Sequence, residues 1–333
     1  MTTLQVRGQA EGRVRAGAFS LSLLAVPLNF FVLEALEKEP TSLMDLRRAV
    51  GSPPQTTMRK RLQALTRLGA ISKPREPRVA AGPDYELADP GRRLMGVARI
   101  LQRWLDMAPD GPLELGSLGA KSAIKALVDG WSTTLIRALA GRPLSLTELD
   151  ALISGLSYPS LERRLSSLRL SGQVVARPGK GRANPYAVTD WLRRAVAPLA
   201  AAVHWERENL SGETSPIGRL DIETGFLLAV PLLRLPEEHS GVCRLAVTIA
   251  RDEGRGVAGV LVGVEEGRVA YCRARLEGNA TAWASGTPSG WLRATLAGDT
   301  GGLEVGGDSR FAYEVIAGLN RLLPVSTVAD YRD

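Results

Sequence analysis

The sequence predicts an α+β chain in three parts: two tandem copies of a mainly helical unit, each with a two-stranded β hairpin, then an antiparallel sheet with packed helices. Three observations predict it. The first two thirds repeat at a spacing of 103 residues, the last third alternates apolar and polar residues with the period of a strand, and the charge changes sign between them. Residues 27–108 hold 14 Lys and Arg against 9 Asp and Glu, and residues 121–210 hold 13 against 7. Residues 219–333 hold 12 against 15. A basic front and an acidic back imply two kinds of partner, with an anionic polymer the first candidate for the basic part.

The repeat fixes the first two parts at residues 17–108 and 118–210. Leu21, Leu24, Leu33, Leu36 and Pro40 fall on Ile124, Leu127, Ile136, Leu139 and Pro143. Ser42, Leu46, Met58, Arg61, Leu62, Leu65 and Gly69 fall on Ser145, Leu149, Leu161, Arg164, Leu165, Leu168 and Gly172. Beyond the first hairpin the spacing is 101, and Tyr85, Asp89, Arg92, Arg93 and Trp104 meet Tyr186, Asp190, Arg193, Arg194 and Trp205. Each unit begins with an apolar helix. The first, GAFSLSLLAVPLNFFVLEAL, has the look of a signal peptide or membrane anchor. Pro27, Asn29 and Glu34 interrupt it, and its counterpart SAIKALVDGWSTTLIRAL is charged and amphipathic, so a buried first helix is expected and no membrane partner.

A second helix opens on the capping box Ser145-x-x-Glu148, with Ser42-x-x-Asp45 as the weaker version. A third follows a short Gly/Pro/Ser turn, with one apolar stripe at Met58, Leu62 and Leu65 and the same at Leu161, Leu165 and Leu168. Its other face carries Gln55, Thr56, Thr57, Arg59, Lys60 and Gln63 in the first unit and Ser160, Arg163 and Arg164 in the second. Such side chains reach phosphates and base edges, although most charged helix faces are simply solvated. A hairpin follows, with Arg75 and Arg78 in the first and Arg177, Lys180 and Arg182 in the second. The second hairpin is no nucleotide loop. Gly172 and Gly179 have six residues between them, and Lys180 is followed by glycine where a P-loop needs Ser or Thr.

The run DGWSTTLIRALAGRPLSLTELDALISGLSYPSLERRLSSLRLSGQVV, then NPYAVTDWLRR, with its fainter echo in the first unit, resembles the winged helix-turn-helix regulators of bacteria, most closely the HxlR-type family. Trp131 matches that family's tryptophan after the first glycine, and Trp104 and Trp205 match the one in its closing helix. The resemblance covers residues 17–210. It implies double-stranded DNA as the partner, a cytoplasmic protein, third helices that read DNA and hairpins that serve as wings. Family members pair as homodimers of single units, so two units in one chain imply a covalent pseudo-dimer, either monomeric or paired again as a homodimer. Two departures matter. Neither unit has the N-terminal cysteine through which several members sense oxidants, and Pro159 and Glu162 stand where the first unit has Thr56 and Arg59. The two units should therefore not read the same bases.

From residue 219 the segments LAVTIA, VAGVLVGVEEGRVAYCRARLE and ATAWASG alternate like strands, and SGWLRATLAGD and SRFAYEVIAGLNRLL read as amphipathic helices around GGLEVGGD. This order resembles the sterol-carrier-protein-like fold over residues 219–324. The resemblance implies an apolar tunnel for a hydrophobic small molecule, narrowed or removed by residues missing between Gly298 and Gly302. Phe226, Tyr271, Trp283, Trp291 and Phe311 are its candidate lining, or else ordinary core aromatics. Two cysteines, Cys243 and Cys272, expected as free thiols on neighbouring strands, and two distant histidines make no disulfide framework or metal site, and no cofactor motif occurs. No paired carboxylates, nucleophile with a nearby histidine, or G-x-S-x-G appears. A DNA-binding regulator modulated by a hydrophobic molecule is thus the leading expectation. A non-enzymatic carrier or sequestering protein, whose winged helices bind proteins, and a DNA-modifying enzyme are the alternatives.

Overall fold

The computed structural model describes residues 15–73, 85–178, 184–210, 215–251 and 254–323. The first part runs α1 (Ala18–Leu24), α2 (Pro27–Lys38), α3 (Leu43–Ala49), α4 (Gln55–Arg67), β1 (Ile71–Ser72), β2 (Glu86–Leu87) and α5 (Asp89–Asp106). The second runs α6 (Leu118–Val128), α7 (Ser132–Gly141), α8 (Leu146–Leu152), α9 (Tyr158–Leu170), β3 (Val174–Ala176), β4 (Tyr186–Val188), α10 (Asp190–Arg194) and α11 (Val196–Asn209). Helices α3 and α8, and α4 and α9, begin and end 103 residues apart. The bridges Thr41–Tyr85 and Leu144–Tyr186 tie the second hairpin strand to the start of the second helix at matching positions.

The apolar N-terminal stretch is two helices and not one, bent by 81°. Pro27 is the cause. It pushes the preceding Val26 into extended backbone (φ −84°, ψ 112°) and then starts α2 from its first turn. Asn29 Nδ2 donates to the Leu23 carbonyl at 3.0 Å, satisfying one acceptor left at the end of α1. The counterpart stretch likewise breaks, between α6 and α7. Leu21, Leu24, Val32 and Leu33 are fully buried, and among the described residues no single helix is long and apolar enough to cross a membrane. The N-terminus of α1 is capped from the far end of the second part. The Glu206 carboxylate accepts from Gly17 N and Ser20 N, both at 2.8 Å, and from Ser20 Oγ at 2.9 Å.

The closing helices join the two parts. Trp104 Nε1 donates to the Trp191 carbonyl at 2.9 Å, and Trp205 Nε1 donates to the Pro90 carbonyl at 2.8 Å. Pro90 and Trp191 lie 101 residues apart, as do Trp104 and Trp205. The two bonds therefore exchange the same pair of positions between the parts, as an isologous contact does. Where the first part has Pro90 the second has an indole, which stacks on Trp104 with centroids 4.5 Å apart and returns a 2.7 Å bond to the Trp104 carbonyl. The closing helix of the second part is broken at Ala195 while α5 is continuous. Pro198, which has no N–H to bond the Arg194 carbonyl, replaces Val97 there.

Helix α8 opens on a complete capping box. Ser145 Oγ accepts from Glu148 N at 3.2 Å, and the Glu148 carboxylate accepts from Ser145 N at 2.8 Å. These bonds, with Arg142, hold the Glu148 carboxyl down at about 2 from its ordinary 4.5. A carboxylate lowered by folding stabilises above its unfolded value and loses that contribution as pH falls towards the folded one. Ser145→Ala should therefore lower the melting temperature by a few degrees at pH 7, with the gap to the unmodified chain narrowing below pH 4. An unchanged gap at pH 3 would disprove the coupling.

The last part holds α12 (Arg219–Ala229), β5 (Gly241–Arg251), β6 (Gly254–Glu265), β7 (Arg268–Arg273), β8 (Ala282–Gly286), α13 (Pro288–Ala297), β9 (Leu303–Gly307) and α14 (Ser309–Leu322). Its sheet has the order β7-β6-β5-β8-β9. An antiparallel sheet was the expectation, but the central β5–β8 pair is parallel, so the sheet is mixed. Strands β5, β6 and β7 form a meander on one side. The chain then crosses back over residues 274–281, so that β8 runs beside β5 in the same direction. Alternation cannot reveal this, since parallel and antiparallel strands share a period of two. The cysteines are also further apart than expected. Cys243 and Cys272 both pair with Val262 of β6, which separates them by two strand spacings, about 10 Å, beyond the reach of a disulfide. Burial pushes both thiols up to about 12.

Helix α12 fastens this part to the second. Glu223 is completely buried and pairs with Arg137 of α7 and, at 2.6 Å, with Arg219 of its own helix. Arg193 of α10 donates to the Leu227 carbonyl at 2.8 Å.

Candidate nucleic-acid interface and ligand cavity

Helices α3 and α4 meet across a turn that the sequence specifies residue by residue. Gly51 takes the left-handed backbone (φ 86°) that ends α3, and Arg47 Nε donates to the Pro53 carbonyl at 2.7 Å, closing the loop against its helix. Met58, Leu62 and Leu65 then anchor α4, each no more than 1% exposed. Opposite them Gln55, Thr56, Thr57, Arg59, Lys60 and Gln63 are all exposed. Among the described residues none of these six side chains has a hydrogen bond or ion pair. Four cations and no acid lie on α4, since Arg61 and Arg67 add to Arg59 and Lys60. Arg61 and Arg67 were not singled out from the sequence, although their place on the helical repeat exposes them equally.

The second unit differs. Helix α9 carries Arg163, Arg164 and Arg169 with Glu162. Arg163 is exposed, and Ser160 is half-buried with its hydroxyl 3.1 Å from that of Ser157 at the helix start. Arg164 was expected to face DNA. It is turned inward into an ion pair with Asp129, which ends α6. Its counterpart Arg61 has Val26 where Arg164 finds Asp129, so it stays in solvent. Arg169 instead covers the Tyr186 ring at 5.7 Å. Trp131 seats the turn before α9, its ring lying over Gly155, where a Cβ would come within 2.7 Å of it. In the hairpins Arg177 is exposed beside β3, whereas Arg75, Arg78, Lys180 and Arg182 lie outside the described residues.

The five aromatics expected around one chamber divide between two faces of the sheet. Phe226 and Trp291 meet edge to face at 5.1 Å on the helix-covered side, and Trp291 Nε1 donates to the Ala246 carbonyl at 2.8 Å. Trp283 is 37% exposed on the opposite face, across from Arg244 and Gly306, and Tyr271 lies on that face over Gly263. Phe311 is core, stacked on His239. Neither Trp283, Tyr271 nor Phe311 lines the apolar cavity beside Phe226 and Trp291.

That cavity, of about 150 Å³, lies at the joint between the second and last parts. Leu199 and Val203 of α11, Ile222 and Phe226 of α12, Val247 of β5 and Trp291 of α13 form its apolar walls. Gly225 of α12 also faces it, and a Cβ there would meet no atom within 4 Å. Glycine inside a helix costs roughly 0.5–1 kcal/mol relative to alanine, so this glycine forgoes stability where alanine would fit. At one end stand two charged side chains, Arg15 and Asp221, with Arg15 Nε 3.7 Å from the Asp221 carboxylate. Burial lowers the arginine's pKa, against the pull of Asp221. Burial raises that of Asp221, against the pull of Arg15 and a bond from Gly218 N. Neither residue was marked in the sequence, because nothing local pairs positions 206 residues apart.

Against known proteins, residues 28–110 match the HxlR-like helix-turn-helix family. The match runs from α2 through α5 and includes the α3-turn-α4 pair and its hairpin strands. Over those residues the chain is similar to that helix-turn-helix family. The search of curated proteins finds no match.

Proposed function

We propose that the protein is a cytoplasmic transcriptional regulator whose residues 17–108 and 118–210 act as two winged helix-turn-helix units of a covalent pseudo-dimer. In this reading residues 219–324 form a sterol-carrier-like domain through which a hydrophobic small molecule adjusts DNA binding. The observation that carries the proposal is the polar face of α4. Among the described residues its cations have no hydrogen-bond or ion-pair partner, yet they are held on a helix behind a helix-turn-helix bend. The exchanged indole bonds support the pseudo-dimer, since they relate the two units as a two-fold axis relates homodimer subunits. The units are unequal in charge, +4 on α4 against +2 on α9, and one of the α9 arginines is spent on Asp129. Unit one then reads bases and unit two mainly grips backbone. The expected operator is an imperfect palindrome or asymmetric.

Selection of duplexes from a random pool by the full chain tests this. It should enrich one asymmetric site, bound with a steep salt dependence, each phosphate contact adding a slope of about −0.9 in log affinity against log salt. Arg177→Ala should weaken all sequences alike and reduce that slope by about one contact. Enrichment of a perfect palindrome would overturn the inequality of the units, and no enrichment at all would overturn the regulator reading.

A further inference from the structure

We propose that the joint cavity between α11, α12 and α13 binds a neutral, single-ring apolar molecule carrying one hydrogen-bond acceptor, which takes an unused N–H of Arg15. The size follows from the volume of about 150 Å³, which is that of an apolar cavity able to hold benzene. The cavity is partly open to solvent, so a larger ligand would place one ring in this space and extend the rest outward.

The head group follows from Arg15. Its guanidinium has five donors, and the residue is only 7% exposed. Among the described residues it makes one hydrogen bond, a long one of 3.4 Å to the Leu127 carbonyl, while Asp221 stands at 3.7 Å, outside hydrogen-bond distance. A ligand oxygen has donors waiting. That oxygen should be uncharged. Arg15 and Asp221 already cancel, so an anionic ligand would leave a net charge between apolar walls, and a pure hydrocarbon would leave the donors unmade. Gly225 argues separately that the space is kept. A Cβ there would project into it with no atom within 4 Å, and a larger side chain would occupy the space that glycine leaves open.

The site belongs to two parts of the chain at once. Helix α11, which supplies Leu199 and Val203, is also the helix whose Trp205 holds the first unit through Pro90. A molecule that spreads α11 from α12 therefore acts on the joint between the two units. This second half of the inference rests on the regulator reading. The binding half does not.

Three probes of one shape separate the head groups: acetophenone, ethylbenzene and benzoate, titrated into the full chain by calorimetry. Acetophenone should bind about tenfold more tightly than ethylbenzene, and benzoate should be the weakest. Gly225→Leu should abolish binding of all three while melting at or above the temperature of the unmodified chain, which shows that it folds. The double variant Arg15→Met/Asp221→Leu, which removes both charges and strands neither, should bind acetophenone and ethylbenzene equally. Binding retained in Gly225→Leu would overturn the site, and tighter binding of benzoate would overturn the head-group assignment. No heat and no thermal shift with any probe at millimolar concentration would overturn the cavity as a ligand site. Saturating acetophenone should change affinity for the selected operator by about 5-fold or more. Binding without that change would overturn the coupling and leave the site standing. A chain that binds acetophenone but no DNA would overturn the regulator reading alone.

Discussion

Trp104→Ala is expected to destabilise the full chain by about 3–5 kcal/mol, the cost of emptying a large aromatic site that cannot collapse. Trp104 is 1% exposed, stacks face to face on Trp191 and takes part in two reciprocal indole–carbonyl bonds with it. Removing the ring leaves a hole between α5 and α10 and orphans the buried Trp191 carbonyl. Trp104→Phe separates the two contributions. It keeps most of the stack and loses one neutral hydrogen bond, so about 1–2 kcal/mol should suffice. Urea unfolding gives both values. Operator affinity should fall with Trp104→Ala even under conditions where the variant is fully folded, because the two reading helices lose their fixed relation. A stability loss below 1 kcal/mol, or unchanged affinity in the folded variant, would show that the indole pair does not define the joint.

Arg59→Ala together with Lys60→Ala should reduce affinity for the selected operator by about a hundredfold, while changing the melting temperature little. Among the described residues neither side chain has a partner, and an arginine on a base edge discriminates by roughly 1–3 kcal/mol. Arg59→Ala alone should relax preference at one or two base pairs. Arg164→Ala should do the reverse. It breaks a half-buried pair with Asp129, costs about 1–2 kcal/mol of stability, and leaves base preference intact. Mobility-shift titrations over the selected site and its single-base variants would distinguish the two patterns. Loss of base preference in Arg164→Ala would return that residue to the DNA face.

The 103-residue spacing was legible because it falls on buried positions, and buried positions are what side-chain periodicity reports. Leu62, Leu65, Leu165 and Leu168 announce both third helices, and Ser145 with Glu148 announces the helix before one of them. What the sequence hid depends on partners far along the chain. Arg164 looks like Arg61 until Asp129 is folded next to it. Trp283 and Trp291 look alike as scarce aromatics, but one sits on a strand residue between the inward-facing Ala282 and Ala284, and so points to the other face. The cavity was invisible for the same reason. Part of its wall comes from α11, which the periodicity assigns wholly to the second unit, and its charged end joins Arg15 to Asp221.

Tying both closing helices into one polypeptide has a genetic consequence. In a two-chain dimer every substitution appears twice, so a change that improves one half-site is imposed on the other. In this chain position 59 and position 162 are separate letters, and they already differ, Arg against Glu. In the proposed pseudo-dimer one half can therefore drift, lose base contacts or acquire a new role, while the Trp104–Trp191 and Trp205–Pro90 bonds keep both halves together at any protein concentration.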